Sequence, residues 1–160
     1  MAEQEKQIAI QKIYTKDLSF ESPFSPTVFT KSDWEPKTNL NLRSVHSEVG
    51  ENNHEVILTL TVETKHEEQT LFLVELHQAG IFSVDGYEGD ELAAILGSFC
   101  PNVLFPYARE TIASLVAKGG FPDFVLQPIN FDALYTESRK QAAQAQAVDI
   151  TPASSNGGTH

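Results

Sequence analysis

Apolar and polar residues alternate from residue 8 to residue 20, with Ile8, Ile10, Tyr14, Leu18 and Phe20 on one parity and Gln11, Thr15, Asp17 and Ser19 on the other. A period of two marks a strand with one buried face. The strand ends in ESPFSP, where Pro23 and Pro26 cannot donate to a ladder. The stretch through Phe24, Phe29, Trp34 and Pro36 reads as a long irregular crossing loop. A second strand is centred on Leu40 and Leu42 and ends at the polar GENNHE turn, and a third alternates cleanly through Val56, Leu58, Leu60 and Val62. In the fourth, after KHEEQ, Phe72, Val74 and Leu76 suit a core face, whereas the other face mixes Leu71 and Leu73 with Glu75 and His77. A face mixed in that way suits a partner as well as water.

Asp85 and Gly86 turn the chain out of the last strand, and the spacing of Leu92, Ile95 and Leu96 then predicts a helix. Pro101 and Pro106 are expected to break or kink it, because each lacks an N–H and restrains the residue before it. Beyond them Ala108, Ile112 and Leu115 fall on one helical stripe, and Gly119 and Gly120 supply a left-handed stop. GGFPDFVLQPIN is another Pro-punctuated loop, rich in Phe121, Phe124, Val125 and Leu126, and Asn130 is an eligible N-cap for a last helix over FDALYTESRKQAAQAQA. Residues 148–160, ending PASSNGGTH, lack apolar content and are expected to form a disordered tail behind a single domain of residues 1–147.

Strands first and helices afterwards predict an α+β fold, a four-stranded antiparallel sheet with two main helices on one face. Such a protomer leaves the other sheet face bare and two aromatic loops without an obvious core. Either Phe24, Phe29, Trp34, Phe121 and Phe124 close a small core over the sheet, or the Pro-stiffened loops hold these rings for a greasy partner chain.

Charge sharpens the picture. The net charge is −11, and residues Glu48 to Glu91 hold eleven acidic side chains against Lys65 alone. That balance disfavours nucleic acid, whose phosphates need Lys and Arg. The acidic region is either a solvated face or a docking surface for a basic partner. A single cysteine cannot close an internal disulfide, and the opening MAEQEKQ has no apolar core of the kind a signal peptide needs, so a cytoplasmic location is expected. No stretch approaches the ~18 uninterrupted apolar residues of a spanning helix.

Candidate chemistry is thin. Cys100, in FCPNVLFPYARET, could be a nucleophile or a small buried hydrophobe, and no His lies within twenty residues of it in sequence to act as its base. His46, His54, His66 and His77 make no helical i, i+4 pair and no cluster with cysteine, so their spacing points to no zinc site. GYEG at Gly86–Gly89 is too short for a dinucleotide loop, and no phosphate-cradling GxxxxGK[ST] occurs. His77 with Glu75, and Arg109 with Glu110, read as surface and structural pairs.

Taken in order, IQKIYTKDLSFESP, GIFSV, FCPNVLFPYARE and GGFP followed by PINFDALY resemble the SecB family of bacterial protein-export chaperones over roughly residues 8 to 136. The resemblance implies a homotetramer, a dimer of dimers, that binds unfolded precursor proteins in the cytoplasm and hands them to the SecA motor ATPase. It implies no catalysis and no cofactor. It further implies a client groove at Phe24, Phe29, Trp34, Phe121, Phe124 and Leu126, a motor-docking face at Asp17, Glu21, Leu73 and Glu75, and an assembly helix with Ala108, Ile112 and Leu115 at its interface, where Cys100 is packing. A general holdase without an export role, such as a toxin–antitoxin helper, is the alternative.

Overall fold

The computed structural model describes residues 5–31 and 33–150. Strands β1 (Gln7–Glu21), β2 (Pro36–Gly50), β3 (Asn53–His66) and β4 (Gln69–Asp85) form one antiparallel sheet in the order β1-β4-β3-β2. Helix α1 (Gly89–Ala94) passes through a π turn (Ile95–Phe99) into α2 (Cys100–Lys118), and α3 (Phe131–Ile150) comes after a loop. This is the expected α+β class. Because β1 and β2 are the two edges, residues 22–35 must carry the chain across the width of the sheet.

The core is a consequence of the alternation. Leu60 pairs with Leu76 and Val62 with Val74, and these residues, with Val56, Leu58 and Phe82, have no exposed surface. Burying each such side chain stabilises the fold by about 1.5–3 kcal/mol. Over them lies α2, whose i+4 series Cys100, Leu104, Ala108, Ile112 and Val116 is likewise fully buried. The helix comes so near β4 that a Cβ on Gly80 would lie 3.0 Å from Leu104. Among the described residues, no helix covers the other sheet face.

Strand β1 departs from simple alternation. Its pairing with β4 shifts register between Ile10 and Lys12 and again between Thr15 and Asp17, so Gln11 and Lys16 are extra residues. Between the two bulges the parity inverts. Ile13 pairs with Gly80 and joins the helix-covered face, while Tyr14 pairs with Ala79 and points to the open face. The grouping of Tyr14 with Ile8 and Ile10 is corrected accordingly. A third shift, between Thr64 and Lys65, frees Leu71 from the open face, and it is buried beneath the crossing segment.

The helices correct a second expectation, since neither proline ends α2. The π turn inserts one residue ahead of Pro101, with the Cys100 N–H bonding the Ile95 carbonyl. Pro106 lies inside the helix on its exposed side, where the carbonyl it leaves unpaired meets water, and the buried stripe opposite outweighs a cost of about 3 kcal/mol. The predicted stop is present: Gly120 takes φ +89°, and N–H groups of Gly120 and Phe121 bond the carbonyls of Ala117 and Val116. That closure returns Phe121 onto the sheet. Asn130 caps α3, its Oδ1 accepting from the Ala133 N–H at 3.0 Å. Ser98 donates to Asp132, and Phe131 packs on Phe105 at 5.6 Å, so α3 is held by its first turn against the π turn. Helix α3 continues to Ile150, three residues into the expected tail, and the rest of that tail lies outside the described residues. Among the described residues, no helix is long and apolar enough to cross a membrane.

Candidate functional site

Two surfaces flank the sheet. On the helix side, the crossing segment and the loop after α2 meet over the end of β4. The ring of Phe121 lies 5.1 Å from Phe72, 5.3 Å from Phe29 and 5.8 Å from Trp34, and Phe72 also meets Phe124 at 5.8 Å and Phe20 at 6.4 Å. Val28 pins the crossing segment to this bed and is 5 % exposed. Beside it runs a groove lined by Phe24, Val28, Trp34, His66, Gln69 and Leu71. The fold thus brings together Phe29, Trp34, Phe121 and Phe124 and puts Phe24 at the lip. Phe24 and Phe29 keep 42 % and 44 % of their surface exposed, whereas Phe121 and Leu126 are buried and form floor rather than contact surface. Phe20 and Phe72, read from the sequence as strand core, complete the floor, and Leu71 was hidden by the bulge that re-aims it.

The open face carries the acidic group. Glu21 pairs with Leu73, Ser19 with Glu75 and Asp17 with His77, so Asp17, Glu21, Leu73 and Glu75 project from one surface of two neighbouring strands. Across β4 the same surface continues into Glu63, opposite Leu73. Glu63 accepts from the Thr70 hydroxyl at 3.0 Å and faces Lys65 at 3.7 Å; its sequence signal was only its parity. Glu75 is half exposed, and its carboxylate lies 3.3 Å from His77 Nε2.

The third group does not lie where the sequence put it. Ala108 and Ile112 have no exposed surface within the single chain, because α2 turns them onto its own sheet, and Leu115 is half-buried against the same core. Ala108 and Ile112, covered by their own chain, thus have no surface left to offer a second copy, and of the three only Leu115 keeps some. The outward side of α2 carries Tyr107 instead, 52 % exposed, and the π turn before it carries Phe99, 46 % exposed. Burial pushes the Cys100 thiol up to about 12, which keeps it protonated and in the role of packing.

The family model described as preprotein translocase subunit SecB matches residues 1–142. The chain belongs to the SecB family. A protein-export protein SecB from Nitrosococcus oceani is 53 % identical over 148 residues, covering 92 % of this chain and 90 % of that one. The SecB of Hahella chejuensis is 54 % identical over 139 residues, 86 % and 87 % of the two chains. A solved SecB-like chaperone from Mycobacterium tuberculosis, in complex with a ChAD peptide of the HigA1 antitoxin, shares the fold with a TM-score of 0.63 at 15 % identity, over 76 % of this chain and 90 % of that one. The role of the chain is that of a SecB chaperone of protein export.

Proposed function

We propose that the chain is an ATP-independent holdase that grips unfolded precursors on the aromatic bed and passes them, in the cytoplasm, to the SecA motor ATPase through its acidic open face. The observation that carries the reading is the cluster of Phe29, Trp34, Phe72, Phe121 and Phe124, closed by the crossing segment with its short 3₁₀ turn (Thr27–Thr30) and by the loop after α2, and edged by exposed Phe24 and Phe29. Rings on stiff segments offer large apolar area with few demands on sequence. Burial at about 25 cal/mol per Å² supplies the attraction, and ordering of the client offsets much of it, so each site is modest and broad in preference.

Several such sites on one particle raise the effective concentration of each later contact, so a long unfolded chain is held and a folded one is not. A dimer of dimers supplies that number. Support for it comes from exposed Tyr107 on α2 and exposed Phe99 in the π turn before it, and from β1, an edge strand of fifteen residues with one side unpaired. The open face supports motor docking, since it presents carboxylates around Leu73 on the side away from the aromatic bed. The mechanism asks for no cofactor and no covalent step. The toxin–antitoxin alternative draws only on a fold likeness at 15 % identity.

The test is calorimetry of the full chain with a reduced, unfolded protein and, separately, with SecA. Trp34→Ala combined with Phe124→Ala is expected to weaken the first by tenfold or more and leave the second unchanged. Equal loss toward both partners, with the fold intact, would overturn the assignment.

A further inference from the structure

Among the described residues, two buried side-chain polar atoms have no hydrogen-bond partner, Ser22 Oγ and Trp34 Nε1. Both belong to the segment 22–35 that crosses the sheet. Native interiors pair nearly all such groups, and a buried donor left without an acceptor is costly. Two orphans in one fourteen-residue segment, with no others among the described residues, is a local pattern rather than a scatter.

The surroundings of Trp34 say what is missing. Its ring packs on Phe121 at 5.8 Å and lines the groove with Phe24, Val28 and Leu71, none of which carries a side-chain acceptor. The groove's polar side chains leave the indole unpaired as well, and His66 is committed elsewhere, its Nδ1 accepting from the Glu35 N–H at 2.9 Å. An indole N–H is a donor only. What would satisfy it is an acceptor brought in from outside, and an extended polypeptide carries one at every residue whatever its sequence.

We propose that the indole N–H of Trp34 is a main-chain anchor, donating to a backbone carbonyl of the client held on the aromatic bed. The inference rests on the client-binding reading above and adds its polar component. The nitrogen is covered in the free chain, so the client reaches it by displacing the Trp34 ring from its packing on Phe121, and the new hydrogen bond offsets part of that cost. Apolar burial then supplies affinity without sequence, and the anchor supplies the preference for extended chain over compact chain. The Ser22 hydroxyl, which can donate or accept, is the second unsatisfied group of the same segment.

Trp34 is the chain's single tryptophan, so a ¹⁵N-labelled protein gives one indole N–H signal. The probe is reduced, carboxymethylated α-lactalbumin, whose binding is tracked independently by the anisotropy of a dye on the probe. The expected result is a downfield shift of the indole proton that saturates with the anisotropy, together with Trp34→Phe, which keeps a ring and drops the donor, binding roughly threefold to tenfold more weakly. Saturable binding with an unmoved indole signal overturns the anchor and leaves the holdase standing. No binding of the probe at all overturns both.

Discussion

Tyr14 on β1 donates a hydrogen bond to Glu55 on β3, reaching over β4, which lies between them. Lys16 adds contacts of 3.0 Å to both oxygens of the same carboxylate. The two bulges of β1 make this possible, for without Gln11 the Tyr14 ring would point toward α2. The hydrogen bond from Tyr14, and then that from Lys16, hold the Glu55 carboxyl below its ordinary value of 4.5. A lowered folded-state value stabilises at pH above 4.5, and the contribution is lost as pH falls through the lower folded value. Tyr14, raised to about 12 by burial and then by Glu55, contributes fully below pH 10 and loses its share as pH rises through about 12. Tyr14→Phe is expected to cost about 1–2 kcal/mol at neutral pH. Urea titrations from pH 7 to pH 3 should also show a shallower acid limb than wild type; identical limbs would discount the bridge.

Glu75 offers the sharpest division between the proposed partner surfaces. Reversing its charge removes an attraction and adds a repulsion for a basic docking module. Glu75→Lys is expected to preserve the oligomer and the suppression of client aggregation while weakening SecA binding by tenfold or more. Wild-type docking should itself weaken as salt rises. Calorimetry across a salt series measures both, and an unchanged SecA affinity would remove Glu75 from the docking face.

Ile112 and Tyr107 share a helix and face opposite ways. Ile112→Glu inserts a charge where no solvent reaches and is expected to unfold the chain, losing well over 3 kcal/mol and the cooperative thermal transition. Tyr107→Glu changes a ring that is 52 % exposed and should leave the secondary structure intact while lowering the particle mass below that of the proposed tetramer. Light scattering and circular dichroism on the two variants decide between them. A tetrameric Tyr107→Glu protein would move the interface away from that side of α2.

Cys100 should behave as packing. Its thiol, buried and held at about 12, is expected to resist a disulfide reagent at pH 8 until the protein is unfolded. Cys100→Ala should cost about 1–2 kcal/mol through a small cavity and leave client holding unchanged. Rapid labelling of the native protein, or loss of holding by a well-folded variant, would reopen the reactive reading.

Much of this molecule could be read from spacing alone. Val56, Leu58, Leu60 and Val62 alternate because β3 is paired on both sides and covered by one helix, and Gly119–Gly120 mark the end of α2 because a left-handed residue is required there. The one-residue bulges of β1 and β4 could not be read, since an added residue leaves a run of amino acids looking unchanged while it exchanges the faces of the positions that follow it. Nor does periodicity say what covers an apolar stripe. Ala108 and Ile112 repeat as they would at an interface, and only the position of the sheet assigns them to the chain's own interior. Of the aromatic site, the loop rings were legible because aromatics are unusual beside so many prolines. Phe20 and Phe72 were not, because a ring in a strand looks like core whether or not a groove opens above it.

Phe72 and Leu73 are consecutive on β4, one under the aromatic bed and the other on the acidic face. The two proposed partners are therefore separated at that point by the thickness of a single backbone, and the identity of each side is set by counting residues rather than by distance. Deleting one residue from this end of β4 would exchange the two surfaces, giving the client a carboxylate and the motor a ring. Drift among homologues should accordingly run freely to other apolar residues at Phe72 and other small or acidic ones beside Leu73, while insertions and deletions in β4 should be all but forbidden.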